Sequence, residues 1–155
     1  MPFTNSNDYI TGRKPVPTPA GLETISVRFT LAIPTGDLAL NTIGQIGVLP
    51  PGCVPIALLV DATDVDSGAA AMTLQVGILD AAGTAFSTAA ADGGGAWGST
   101  VSTGAAAAFQ QQVLSQPMAT VQQSQVDRKL GLKVTAAPTT AVAGTLGLTL
   151  QYTAP

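Results

Sequence analysis

"RKLGLKVTAAPTTAVAGTLGLTLQY", residues 128–152, decides the fold class. Leu130, Leu132, Val134 and Ala136 alternate with Gly131, Lys133 and Thr135. Leu146, Leu148, Leu150 and Tyr152 then alternate with Thr145, Gly147, Thr149 and Gln151. A period of two sends one set of side chains to a buried face and the other to a wet face, which is the signature of a strand. Two such runs joined by "APTTAV" predict an antiparallel hairpin.

The same period recurs upstream. Ile25, Val27, Phe29, Leu31 and Ile33 alternate with Thr24, Ser26, Arg28, Thr30 and Ala32, and Pro34 and Gly36 end the run. "LALNTIGQIGVL" is a looser strand, interrupted by Gly44 and Gly47. "VPIALLVDA" places Val54, Ile56, Leu58 and Val60 on one face, and "AMTLQVGIL" does the same for Met72, Leu74, Val76 and Ile78. Between residues 80 and 127 the pattern weakens. "GAAAAFQQQVLSQ" has good helix formers, with Phe109 and Val113 on one face at i and i+4 and Pro117 as a stop. Ala and Gln runs also suit irregular segments, so the helical reading of 104–115 stays open. About seven or eight short strands, with no alternating long helices, predict an all-β antiparallel domain. The expected architecture is a β-sandwich or jelly-roll-like fold over residues 23–155.

Residues 1–22 read as an extended arm. Pro15, Pro17 and Pro19 favour a polyproline-like course. Phe3, Tyr9 and Ile10 stand in this segment beside Arg13 and Lys14. Either the arm is a frayed terminus, or it orders on a neighbouring subunit.

The chemical inventory is thin. The chain has no His, which removes the commonest general base and metal ligand. Cys53 stands alone in an apolar run, so it forms no intrachain disulfide and reads as a small buried residue. "DATDVDSG", residues 61–68, misses the calcium-loop pattern, because Gly68 comes one position early and Gln75 stands where a Glu is needed. Its simplest role is a turn, with Asp and Ser side chains accepting from nearby backbone N–H groups. A looser cation site from Asp61, Asp64 and Asp66 stays open. "GGGAWG", residues 93–98, matches a dinucleotide-loop pattern by letter, but a β-branched run follows it and no acid lies about 20 positions on. No catalytic, cofactor or metal site is predicted.

Charge excludes more. The net charge is −3 and no basic stripe exists, so nucleic acid is not an expected partner. The longest apolar stretch is far shorter than the ~20 residues of a membrane helix, and the polar N-terminus shows no secretory signal. Only 10% of residues are charged, against about 25% in an average soluble protein. The outside is left to Thr, Ser, Gln, Ala and Gly, which suits a protein that lies against other protein.

"GVLPPGCVPIALLVDATDVDSGAAAMTLQVGILDAAG", the Gly/Ala-rich link after it, and "RKLGLKVTAAPTTAVAGTLGLTLQY" together resemble small all-β virion proteins of tailed double-stranded DNA bacteriophages. The likeness spans about residues 22–153 and is one of pattern rather than of an invariant motif. It implies a head decoration, or cement, protein made in the host cytoplasm and bound to the outer surface of the expanded capsid. Its partners would be the major capsid protein and its own copies, as a homotrimer or a dimer, with no cofactor and no catalysis. Phe3, Tyr9, Ile10, Arg13 and Lys14 would make the arm a tether to the capsid or a neighbour. The alternative is a tail, baseplate or head-fibre component that binds a host surface, with Trp97 as a loop contact. A calcium- or glycan-binding sandwich outside any virus is a third class, and the absence of a signal and of disulfides argues against it.

Overall fold

The computed structural model describes residues 2–68, 72–98, 101–102, 109–113 and 115–155. The strands are β1 (Thr24–Ile33), β2 (Ile43–Leu49), β3 (Val54–Ala62), β4 (Thr73–Ile78), β5 (Val101–Ser102), β6 (Phe109–Val113), β7 (Arg128–Ala136) and β8 (Gly144–Thr153). A short helix, α1 (Gln116–Ala119), precedes β7. Two four-stranded sheets form, one ordered β1-β8-β3-β6 and the other β2-β7-β4-β5. Every pairing between these strands is antiparallel. First pairs with last, second with seventh, third with sixth and fourth with fifth, as if one long hairpin had been rolled up. The result is the all-β antiparallel domain that the alternation predicted.

The predicted hairpin does not form. β7 pairs with β2 and β4, whereas β8 pairs with β1 and β3 in the other sheet. Residues 137–143 therefore carry the chain from one sheet to the other. Alternation fixes which face a side chain takes and says nothing about which strand lies alongside. The faces themselves are as predicted except at the start of β3, where a register shift between Pro55 and Ala57 turns Ile56 outward, away from the face of Leu58 and Val60. Leu130, Leu132, Val134, Leu146, Leu148, Leu150 and Tyr152 are fully buried with Phe29, Leu58, Val60, Leu74 and Val76. Each such side chain gains about 1.5–3 kcal/mol from leaving water.

The described part of the 104–115 segment is a strand. Phe109–Val113 pairs with Leu58–Ala62. Residues 104–108 and 114 lie outside the described set. Pro117, expected to stop a helix, stands instead in the first turn of one. Ser115 caps α1, its side chain accepting from the Met118 N–H at 3.3 Å, and proline suits a first turn because its missing N–H would be unpaired there.

Candidate functional site

β1 and β2 are the edge strands of the two sheets on the same side of the sandwich. An edge exposes unpaired backbone groups and invites association. Here the N-terminal segment lies over that seam. Asn5 Nδ2 donates to the Ala32 carbonyl at 2.8 Å. Asn7 Nδ2 donates to Thr30 O on β1 at 3.1 Å and to Ile46 O on β2 at 2.8 Å, bridging the two edges. Asn7 Oδ1 accepts from the N–H groups of Tyr9 and Ile10 and so shapes the turn that follows. Thr4 donates from both its N–H and its hydroxyl to Asp37, a carboxylate otherwise buried beyond β1.

Aromatic contacts complete the clasp. Phe3 fills the space that a side chain at Gly44 would occupy. Tyr9 meets Phe29 edge to face, with ring centroids 4.9 Å apart. Further along, Tyr152, fully buried on β8, donates its hydroxyl to the Pro17 carbonyl at 2.5 Å. Burial, with smaller contributions from Cys53 and Tyr9, pushes the Tyr152 hydroxyl up to about 12.

The five arm residues singled out from sequence thus divide. Phe3 and Tyr9 are half-buried against their own core. Ile10 sits in a groove with Phe3, Gln45, Leu79 and Lys129. Lys14 lies 4.9 Å from the centre of the Tyr9 ring, and hydrogen bonding to Tyr9 holds its ammonium above the usual range. Arg13 is exposed and only 3.9 Å from Asp8. Asn5 and Asn7 carry most of the edge contacts and were missed. Two Asn at alternate positions ahead of a strand gave no signal distinct from loop composition.

The acidic stretch starts inside β3, with Asp61 and Ala62 still paired, and turns after them. Asp61 is tied across β8 to Arg28, and Gly147 between them leaves the room, since a side chain there would overlap the Asp61 carboxylate. That bond and the charge of Asp61 raise the Arg28 pKa. Asp66 is buried and accepts from the N–H groups of Gly68 and Thr140. Ser67 N and Val142 N then bond Thr140 O and Val65 O, zipping the turn to the β7–β8 crossover. Among the described residues no three His, Cys, Asp or Glu side chains gather to hold a metal ion. Among the described residues, too, no helix is long and apolar enough to cross a membrane.

Trp97 is not a surface contact. It is fully buried, and its indole N–H donates to the Asp92 carbonyl at 2.8 Å. Gly93 (φ 92°), Gly94 (φ 73°) and Gly95 (φ 138°) adopt backbone that other residues avoid, and this curls the chain inward. Asp92 also accepts from Ser87 and from Arg128. Arg128 is buried and donates further to Cys53 O at 2.9 Å and Ala91 O at 3.4 Å. Sequence parity contained this clue, because residue 128 is in phase with inward-facing Leu130 and Leu132. Cys53 is buried as expected, and burial raises its thiol pKa against the opposing charge of Arg128. The host-surface reading thereby loses its one aromatic candidate.

No family model matches the chain, and no curated protein does. Solved structures do match. One is a chain of "Capsid of Ralstonia phage GP4", 26% identical, with 96% of each chain covered and a TM-score of 0.75. The chain shares its fold with a phage capsid component. A second match, to "Cyanophage Pam1 capsid asymmetric unit", covers the whole of both chains at 18% identity with a TM-score of 0.57, and shows the fold alone.

Proposed function

We propose that this protein is a structural, non-catalytic component of a phage virion that decorates the outer surface of the expanded capsid and stabilises it as a cement protein. The observation that carries the reading is the near full-length likeness to a chain of the Ralstonia phage GP4 capsid. Surface chemistry supports it. The outer face of the β1-β8-β3-β6 sheet presents Thr24, Ser26, Thr30, Thr149 and Gln151, and its Arg28 and Asp61 neutralise each other. Such a face loses little when covered by protein, since no isolated charge must leave water.

In this reading a sandwich over residues 23–155 carries an arm over residues 1–22. Phe3 and Tyr9 hold the arm to the sandwich, and Ile10, Arg13 and Lys14 face the major capsid protein. The favoured assembly is a homotrimer, with a dimer as the alternative. Many modest contacts, repeated by symmetry and made only to the mature lattice, stabilise that lattice by mass action.

The test is co-sedimentation of the purified protein with undecorated expanded heads and with unexpanded procapsids. Saturable binding to expanded heads alone is expected, and its stoichiometry reports the oligomer. Binding to neither from folded protein would overturn the reading.

A further inference from the structure

We infer that the seam between β1 and β2 is a receptor for the arm of a second copy of this chain, so that neighbouring copies exchange residues 2–17. The arm of the same chain fills the seam and so defines the occupant's chemistry. Phe3 at Gly44, the Thr4 hydroxyl on Asp37, Asn5 and Asn7 on the edge carbonyls, and Tyr9 on Phe29 are side-chain contacts, joined by the Thr4 N–H on Asp37. The same residues from another copy would make them identically.

The hinge points the same way. Residues 20–23 link Pro19, the last buried residue of the arm, to the start of β1. One side-chain bond is local, from Ala20 N to Glu23 Oε1 at 2.7 Å, and the one to the sandwich falls at the last hinge residue, from Thr153 Oγ1 to Glu23 O at 3.1 Å. Gly21 sits at φ 88°, a conformation it leaves without cost. Four residues extended reach about 13 Å, so exchange takes place between copies in direct contact. At this hinge Leu22 is 83% exposed, and Val126 at the same end of the sandwich is 66% exposed. An arm crossing to a second copy would bring that copy over these apolar side chains.

Because the seam contacts are the same in either arrangement, only hinge strain and effective concentration choose between them. A dilute chain closes on itself; crowding on a lattice favours exchange. The inference needs no capsid, so its failure leaves the decoration reading standing, and the reverse also holds.

Two full-length experiments decide it. Thr4→Cys chains are mixed with Asp37→Cys chains at rising concentration, oxidised, and weighed without reductant; the Thr4→Cys/Asp37→Cys chain measures closure within one copy. Heterodimer that rises with concentration, several-fold above either homodimer, is expected. Closure in the double variant with no heterodimer at any concentration would overturn the exchange. The second variant deletes residues 20–22 and shortens the hinge by about 10 Å. It is expected to be an obligate oligomer with its arm protected from protease. A folded monomer with a cleavable arm would overturn the inference independently of the cross-link.

Discussion

The arm over residues 2–17 and the segment over residues 79–98 both lie outside the main strand ladders, yet different chemistry holds them. The later segment sends Trp97 into the core and ties its backbone to a buried Arg128 through Asp92. The arm keeps its aromatics half-buried and relies on amide side chains reaching edge carbonyls. The first is part of the interior. The second is a cover, and covers can be exchanged without unfolding what lies beneath.

If that contrast is right, the two segments will break very differently. Trp97→Ala is expected to cost about 3–5 kcal/mol, the usual range for emptying a large aromatic site, and urea unfolding will read it. A cost below about 1 kcal/mol, the scale of surface substitutions, would mean that the segment is no more integral than the arm. The junction between arm and core is sharpened by pH. Tyr152 titrates at about 12 when folded and at 10 when exposed. Its contribution is full below pH 10 and is lost as pH rises through about 12. The two-unit difference corresponds to at most about 2–3 kcal/mol. Tyr152→Phe should flatten that part of the stability profile; an unchanged slope would show that the buried Tyr152 hydroxyl is not its source. The smallest effect is expected from Asn7→Ala, about 1–2 kcal/mol from two lost carbonyl partners. It should show first as faster proteolysis within the arm, before any shift in global unfolding. Simultaneous loss of arm and core protection would erase the distinction.

Legibility in the sequence follows the same division. Faces were readable because period two is a local property: Leu130 and Leu148 point inward as their neighbours required. Partners were not, because the β7–β8 crossover depends on which sheet has room. Phe109 and Val113 misled for a simple reason. Positions i and i+4 share a face in a strand as well as in a helix, so that spacing cannot separate the two. Trp97 misled because glycines on both sides read as a surface loop, when their left-handed backbone is what turns the indole inward. Of the arm, the aromatics were legible as unusual for a solvated tail. Their docking site was not, since it is built from edge carbonyls that exist only once both sheets have formed.

The pairing of first strand with last has a consequence in time. Thr24 finds Thr153 across the ladder, and Ile33 finds Gly144. A ribosome must therefore release the chain through residues 144–153 before β1 gains its neighbour, while the inner turns are already available. Closing so large a loop costs little more entropy than closing half of it, but pairings this distant slow the search. The chain should assemble from the β4 side outward, with the N-terminal strand joining last.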